Sequence, residues 1–171
     1  CDFEGDYLTK FLAAQTVNLS RFLQIAIQLA STLAALHQNK IIHKDIQPHN
    51  ILINIQTSQI KIVDFSLASR LSGQNQSINN LNSLVGVTHL GSMVSEVKQS
   101  DRGARTSERA SAFSTGVGPL AYMSPEQTGR MNRSIDYRTD FYSLGVTFYE
   151  MLTGQLPFQS TDALEIVHCH I

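Results

Sequence analysis

Apolar residues Phe22, Ile25, Ala26, Leu29, Leu33 and Leu36 recur at helical spacing, so one face of this stretch is expected to be buried along a helix. Asn18 or Ser20 stands where a side chain could satisfy the first amide donors of that helix. A shorter helix is expected before it, in "EGDYLTKFL". Beyond it the pattern changes to short apolar runs, "KIIH", "NILIN" and "QIKIVDF", which read as three strands separated by polar turns. They predict a small sheet or hairpin packed on the helix, with the polar loop "HKDIQPHN" joining the first two runs. From Asp140 to Thr153 the residues Phe141, Leu144, Val146, Phe148, Met151 and Leu152 fall on several faces, which predicts a helix buried nearly all round. Gly154 is placed to end it, with Pro157 just beyond, and Ser160 or Thr161 is expected to cap a final helix. The pattern contains no internal repeat and describes an α+β fold that is mainly helical.

Between residues 72 and 116 the texture changes. "SGQNQSINNLNSL" is rich in Ser, Asn, Gln and Gly, and "EVKQSDRGARTSERASAFSTG" is polar and charged, so little here can build a core. This stretch is expected to be a long flexible loop, either phosphoregulated through its Ser and Thr beside Lys98, Arg102, Arg105 and Arg109, or a tolerated insertion without function.

A chain of 171 residues that is 42% hydrophobic can bury one substantial core, as one domain or one large lobe. A net charge of −1 with no basic stripe argues against nucleic acid or anionic membrane as partner. No run of about eighteen apolar residues and no signal-peptide pattern occurs. The two cysteines, Cys1 and Cys169, lie near opposite ends, give no disulfide framework and fit a reducing cytoplasm. The start at Cys1 and the stop inside the helical pattern of "DALEIVHCHI" lead to the expectation of a fragment.

Three separated pieces carry candidate chemistry. His43, Asp45 and Asn50 fit H-x-D-x-x-x-x-N, Asp64 and Phe65 follow an apolar run as D-F-x, and Ser124, Pro125 and Glu126 fit x-P-E. Each alone has a plain alternative, since an Asp in a polar turn is most often a cap or a solvated charge. Asp140 reads equally as a helix N-cap. His168, Cys169 and His170, adjacent on a helix, point in different directions and are expected to be surface residues, not a chelating set.

Taken together the pieces resemble the C-terminal lobe of a eukaryotic-type Ser/Thr protein kinase domain. The stretch "SPEQTGRMNRSIDYRTDFYSLGVTFYEMLTGQLPF" is similar to large bacterial signalling proteins in which a kinase domain precedes an ATPase module and a sensor histidine kinase. The resemblance implies ATP and Mg²⁺ as cofactors, a protein Ser or Thr as acceptor, and fused or associated ATPase and histidine kinase modules as partners. In-line transfer of a phosphoryl group needs a carboxylate to orient the acceptor hydroxyl and oxygen ligands to hold the metal. The resemblance gives the first role to Asp45 and the second to Asn50 and Asp64, whose amide and carboxylate oxygens suit a hard cation. It makes His43, Glu126 and Asp140 structural, with Asp140 hydrogen-bonded to the catalytic-loop backbone.

Several positions depart from the family pattern. Gln47 replaces the lysine that contacts the transferred phosphate, Ser66 replaces the glycine of D-F-G, Pro119 stands where a threonine is usual, and Lys44 replaces an arginine. No Gly-rich loop or strand lysine is found, so the N-terminal lobe and the last helices are expected to lie outside the chain, leaving Glu126 without its arginine. Two functions follow as expectations: phosphoryl transfer within a larger signalling kinase, with the fragment alone inactive, or a pseudokinase-like scaffold. A third, a small-molecule phosphotransferase of the aminoglycoside-kinase type, shares the loop motif but leaves "MSPE" and "DFYSLG" unexplained.

Overall fold

The computed structural model describes residues 3–14, 16–71 and 118–171. The expected loop at 72–116 lies outside them. The described residues fall into two compact units, one drawn from Cys1–Leu71 and Asp136–Pro157, the other from Ser72–Ile135 and Phe158–Ile171.

In the first unit, strand β1 (Asp6–Tyr7) leads directly into helix α1 (Leu8–Ala14), so "EGDYLTKFL" is half strand and half helix. Helix α2 runs Leu19–Gln38, and Asn18 is its cap, accepting a hydrogen bond from the Arg21 amide at 2.9 Å. Phe22, Ile25, Leu29 and Leu33 are its buried positions, in the register that the apolar spacing predicts. By length and composition alone α2 could cross a membrane. Its buried stripe, however, is the centre of an internal core shared with Leu8, Phe11, Ile46, Ile51, Ile53, Ile62, Leu144 and Met151.

The short strands β2 (Ile41–Ile42), β3 (Ile51–Ile53), β4 (Ile60–Ile62) and β5 (Ser69–Arg70) do not form one sheet. β3 pairs antiparallel with β4, Ile51 opposite Ile62, and with β1, Tyr7 opposite Leu52. β2 instead pairs with β5, Ile41 opposite Arg70, so of the expected small sheet or hairpin the three runs give a β3–β4 hairpin, with β2 outside it. The reason is the polar loop between β2 and β3, which leaves the plane of the sheet in a turn of 3₁₀ helix at Pro48–Asn50. The β1 contact is close: a Cβ on Gly5 would stand 2.8 Å from the Ile53 carbonyl oxygen, so only glycine fits there without displacement. Gln28 joins helix to sheet, donating to the Ser58 carbonyl at 2.7 Å and accepting from the Ile60 amide at 3.2 Å.

Helix α3 (Arg138–Thr153) ends at Gly154, whose φ of 71° is the left-handed conformation that glycine adopts without penalty. It is not buried all round. Phe141, Tyr149 and Leu152 are about half exposed, while Thr139, Asp140, Ser143 and Thr147 are buried. The inversion has a local cause: the Ser143 and Thr147 hydroxyls bond back to the Thr139 and Ser143 carbonyls, which satisfies them inside the core.

The second unit contains 3₁₀ turns at Gly118–Tyr122 and Pro125–Thr128 and helix α4 (Ala163–Cys169). Leu120, Ile166 and Val167 form its core, with Met123, Phe158 and Ala163 against it. Asp162, not Ser160 or Thr161, caps α4, accepting from the Leu164 amide at 2.8 Å. Ser160 is spent on the Asp162 amide and the Glu165 carboxylate. His170 is buried against the Phe158 ring, whereas His168 and Cys169 are exposed, so only two of these three residues are at the surface.

The register of α2 is testable. Leu29→Ala should cost about 2–5 kcal/mol in chemical denaturation, because it opens a cavity in the core. Leu23→Ala, on the outer face, should change stability by no more than about 0.5 kcal/mol.

Candidate active site

The loop between β2 and β3 is anchored from two sides. Asp140, with no exposed surface, projects from the first turn of α3 and accepts from the His43 amide at 2.9 Å and the Lys44 amide at 2.7 Å. Tyr137, not Asp140, occupies the α3 cap position, so the carboxylate is available to the loop. Lys44 has a φ of 70°, a left-handed conformation uncommon for a residue with a side chain, and its bonded amide helps hold it there. From the other side, the Val63 amide bonds to the Asn50 carbonyl at 2.9 Å.

His43 links the loop to the end of β4. Its Nδ1 accepts from the Asp45 amide at 3.3 Å, so the proton is on Nε2, which donates to the Val63 carbonyl at 3.2 Å. Its ring meets the Phe65 ring edge-on, with centroids 4.7 Å apart. Burial lowers the His43 pKa, although Asp140 opposes the shift.

Asp45 points into a pair of amide donors. The Gln47 side-chain nitrogen is 2.7 Å from Oδ1, and the Asn50 side-chain nitrogen is 2.6 Å from Oδ2 and 3.0 Å from the Asp45 carbonyl. Burial raises the Asp45 pKa, and the Asn50 and Gln47 hydrogen bonds only partly oppose this. A half-buried carboxylate with raised proton affinity, held by neutral donors, is suited to accept a proton from a hydroxyl.

Asp64 follows β4 with a φ of 63° and is exposed. The Ser66 hydroxyl and amide, the latter at 3.2 Å, hold its carboxylate below the usual range. Ser66 thus does more than restrict a backbone position; it grips the neighbouring acid. Among the described residues no group of three or more His, Cys, Asp or Glu could chelate a metal. Asn50 donates through its amide nitrogen, and its amide oxygen, like the exposed Asp64 carboxylate, is of the donor type that Mg²⁺ takes together with water and phosphate.

Pro119 and Glu126 belong to the second unit, in its two 3₁₀ turns. Glu126 is half-buried and has an interaction partner, which corrects the expectation of an unpaired carboxylate. The residue that sequence reasoning missed is His37. Its Nε2 lies 2.8 Å from Asp140 Oδ2, and its only signal in the sequence is a basic side chain in the last turn of α2, which the helix dipole alone would explain.

The lowered His43 pKa sets a direction for pH dependence. Its contribution to stability is complete above the ordinary histidine value of 6.5 and is lost as the pH falls through the depressed value, because the unfolded chain takes up the proton first. The ring resonances of His43, followed by NMR, should titrate below those of a histidine in the unfolded chain. Titration at or above that position would show that the ring is not buried as described.

Comparison with known proteins shows the family. The family described as the protein kinase domain matches residues 3–171. The chain is 32% identical to a hybrid signal transduction histidine kinase G of Dictyostelium discoideum, over 91% of this chain and 6% of that protein. It is 31% identical to the serine/threonine-protein kinase PrkC of Bacillus subtilis, over 98% of this chain and 20% of that one, and 27% identical to PknB of Mycobacterium tuberculosis, over 88% and 18%. It therefore spans a fifth or less of the length of these relatives. With the loop, the D-F pair and the S-P-E turn all within the matched span, the chain belongs to the protein kinase domain family.

Proposed function

We propose that this chain is the catalytic-loop-bearing lobe of a cytoplasmic protein kinase domain that transfers phosphate from ATP to a protein Ser or Thr within a larger signalling protein. The observation that carries this reading is the Asp45 carboxylate, half-buried and held at both oxygens by Gln47 and Asn50. Asp45 would orient the acceptor hydroxyl and take its proton. Asn50 and Asp64 would hold Mg²⁺, which when bound neutralises charge on the phosphates. His43, Asp140 and Glu126 would be structural. Gln47, in place of a cation, would offer a hydrogen bond but no charge, which slows the step in which negative charge moves. The hybrid histidine kinase among the relatives supports a setting in which a signal-transduction histidine kinase module accompanies this one, and an ATPase module rests on the sequence resemblance alone. Asp45, Asn50 and Asp64 would supply the base and metal ligands, but the sequence has no Gly-rich phosphate loop, so the 171-residue chain alone should lack activity.

A second reading is a non-catalytic, pseudokinase-like module. It is favoured by the same contacts read the other way, with Gln47 occupying an Asp45 oxygen and Ser66 gripping Asp64.

The two separate in a version of the protein extended to include a complete nucleotide cleft. The enzyme reading expects phosphate transfer from radiolabelled ATP to protein Ser or Thr, reduced about 10²–10⁴-fold by Asp45→Asn. Absence of nucleotide binding supports the scaffold. Gln47→Lys should raise the rate and move its acid limb to lower pH, because a cation beside Asp45 favours the ionised carboxylate that burial disfavours. An acid limb unmoved by Gln47→Lys would argue that Asp45 is not the titrating base.

A further inference from the structure

We infer that His37 is a positioning residue for the catalytic loop, acting through Asp140. Asp140 holds two consecutive loop amides, those of His43 and Lys44, and it has no surface exposed to bulk solvent. Its remaining contact is the His37 imidazole, 2.8 Å from Oδ2. A carboxylate only accepts hydrogen bonds, so His37 Nε2 is the donor. The ring is fixed in turn by edge-on packing against Phe141, with centroids 5.2 Å apart, and lies 6.0 Å from the Tyr137 ring.

The consequence is geometric. Oδ2 is shared between His37 and the His43 amide, while Oδ1 takes the Lys44 amide. Removing the imidazole donor leaves a buried carboxylate with its orientation set by the loop alone, and an under-satisfied buried carboxylate is costly enough to rotate or draw in water. Either response pulls on the amide of Lys44, the residue held at positive φ immediately before Asp45. Among the described residues His37 hydrogen-bonds Asp140, whereas Asp45 is held by Gln47 and Asn50, so the effect of His37 on chemistry is indirect.

The catalytic part of this inference rests on the kinase reading; the effect on the loop does not. Amide hydrogen exchange on the intact chain reads the loop directly. His37→Phe keeps an aromatic ring and removes the donor. Exchange at His43 and Lys44 should then rise about tenfold or more relative to Leu29 and Leu33 in the core of α2, with partial recovery in His37→Gln, which restores an N–H at similar reach. Unchanged protection at His43 and Lys44, or loss only in step with Leu29 and Leu33, would overturn the proposal.

Should His37→Phe not fold, NMR of the unsubstituted chain decides. A slowly exchanging proton on His37 Nε2 supports the proposal, and an imidazole protonated only on Nδ1 overturns it. In an active extended protein, His37→Phe should lower kcat with the KM for ATP little changed, and an unchanged kcat would contradict the positioning role. Inactivity of the unsubstituted protein would instead count against the kinase reading and leave the exchange result standing.

Discussion

The arrangement depends on one buried carboxylate. Asp140 comes from α3, yet it satisfies the backbone of a loop nearly a hundred residues earlier in the chain, at His43 and Lys44. A loop with a residue at positive φ and polar side chains facing inward does not hold its shape through propensity alone. The carboxylate supplies the missing partners, and the apolar contacts of α2 and α3 with the strands keep it dry. Asp45 is then held in a defined place with its proton affinity raised by burial, and Asn50 and Asp64 follow from the same loop and from the end of β4.

Two substitutions relative to the family pattern act through contacts and not through absence. Gln47 bonds Asp45 where a lysine would bring a charge, so it lowers the proton affinity of the carboxylate by a hydrogen bond alone, and burial outweighs it. Ser66 engages Asp64 with both its hydroxyl and its amide. Under the proposed function both contacts would hold the two acids in place while changing their electrostatics, which is why enzyme and scaffold readings both draw on them.

Much of this was legible in the sequence where one periodicity dominated. The buried stripe of α2 followed directly from Phe22, Ile25, Leu29 and Leu33, and the C-terminus of α3 from Gly154. The strands were found, but their pairing was not, because two- and three-residue runs carry no register information and β2 finds its partner in Ser69–Arg70, a pair with no β signature. The burial of α3 was misjudged because hydroxyls that bond back to their own helix can be buried at no cost visible in hydropathy. The alternatives for Asp140 could not be separated along the chain, since a helix start and a long-range clamp ask for the same residue type. His37 could not be found at all, because its partner is far away in sequence.

The central claim, that the Asp140 clamp sets the environment of Asp45, is tested most directly by titrating the Asp45 carboxyl by NMR in the unsubstituted chain and in Asp140→Asn. Asn keeps the shape but replaces one acceptor oxygen with a donor that faces a loop amide. The account predicts that the raised Asp45 midpoint moves back toward that of an ordinary carboxyl while the core of α2 remains folded. An Asp45 midpoint that stays where it was, with the core intact, would contradict it.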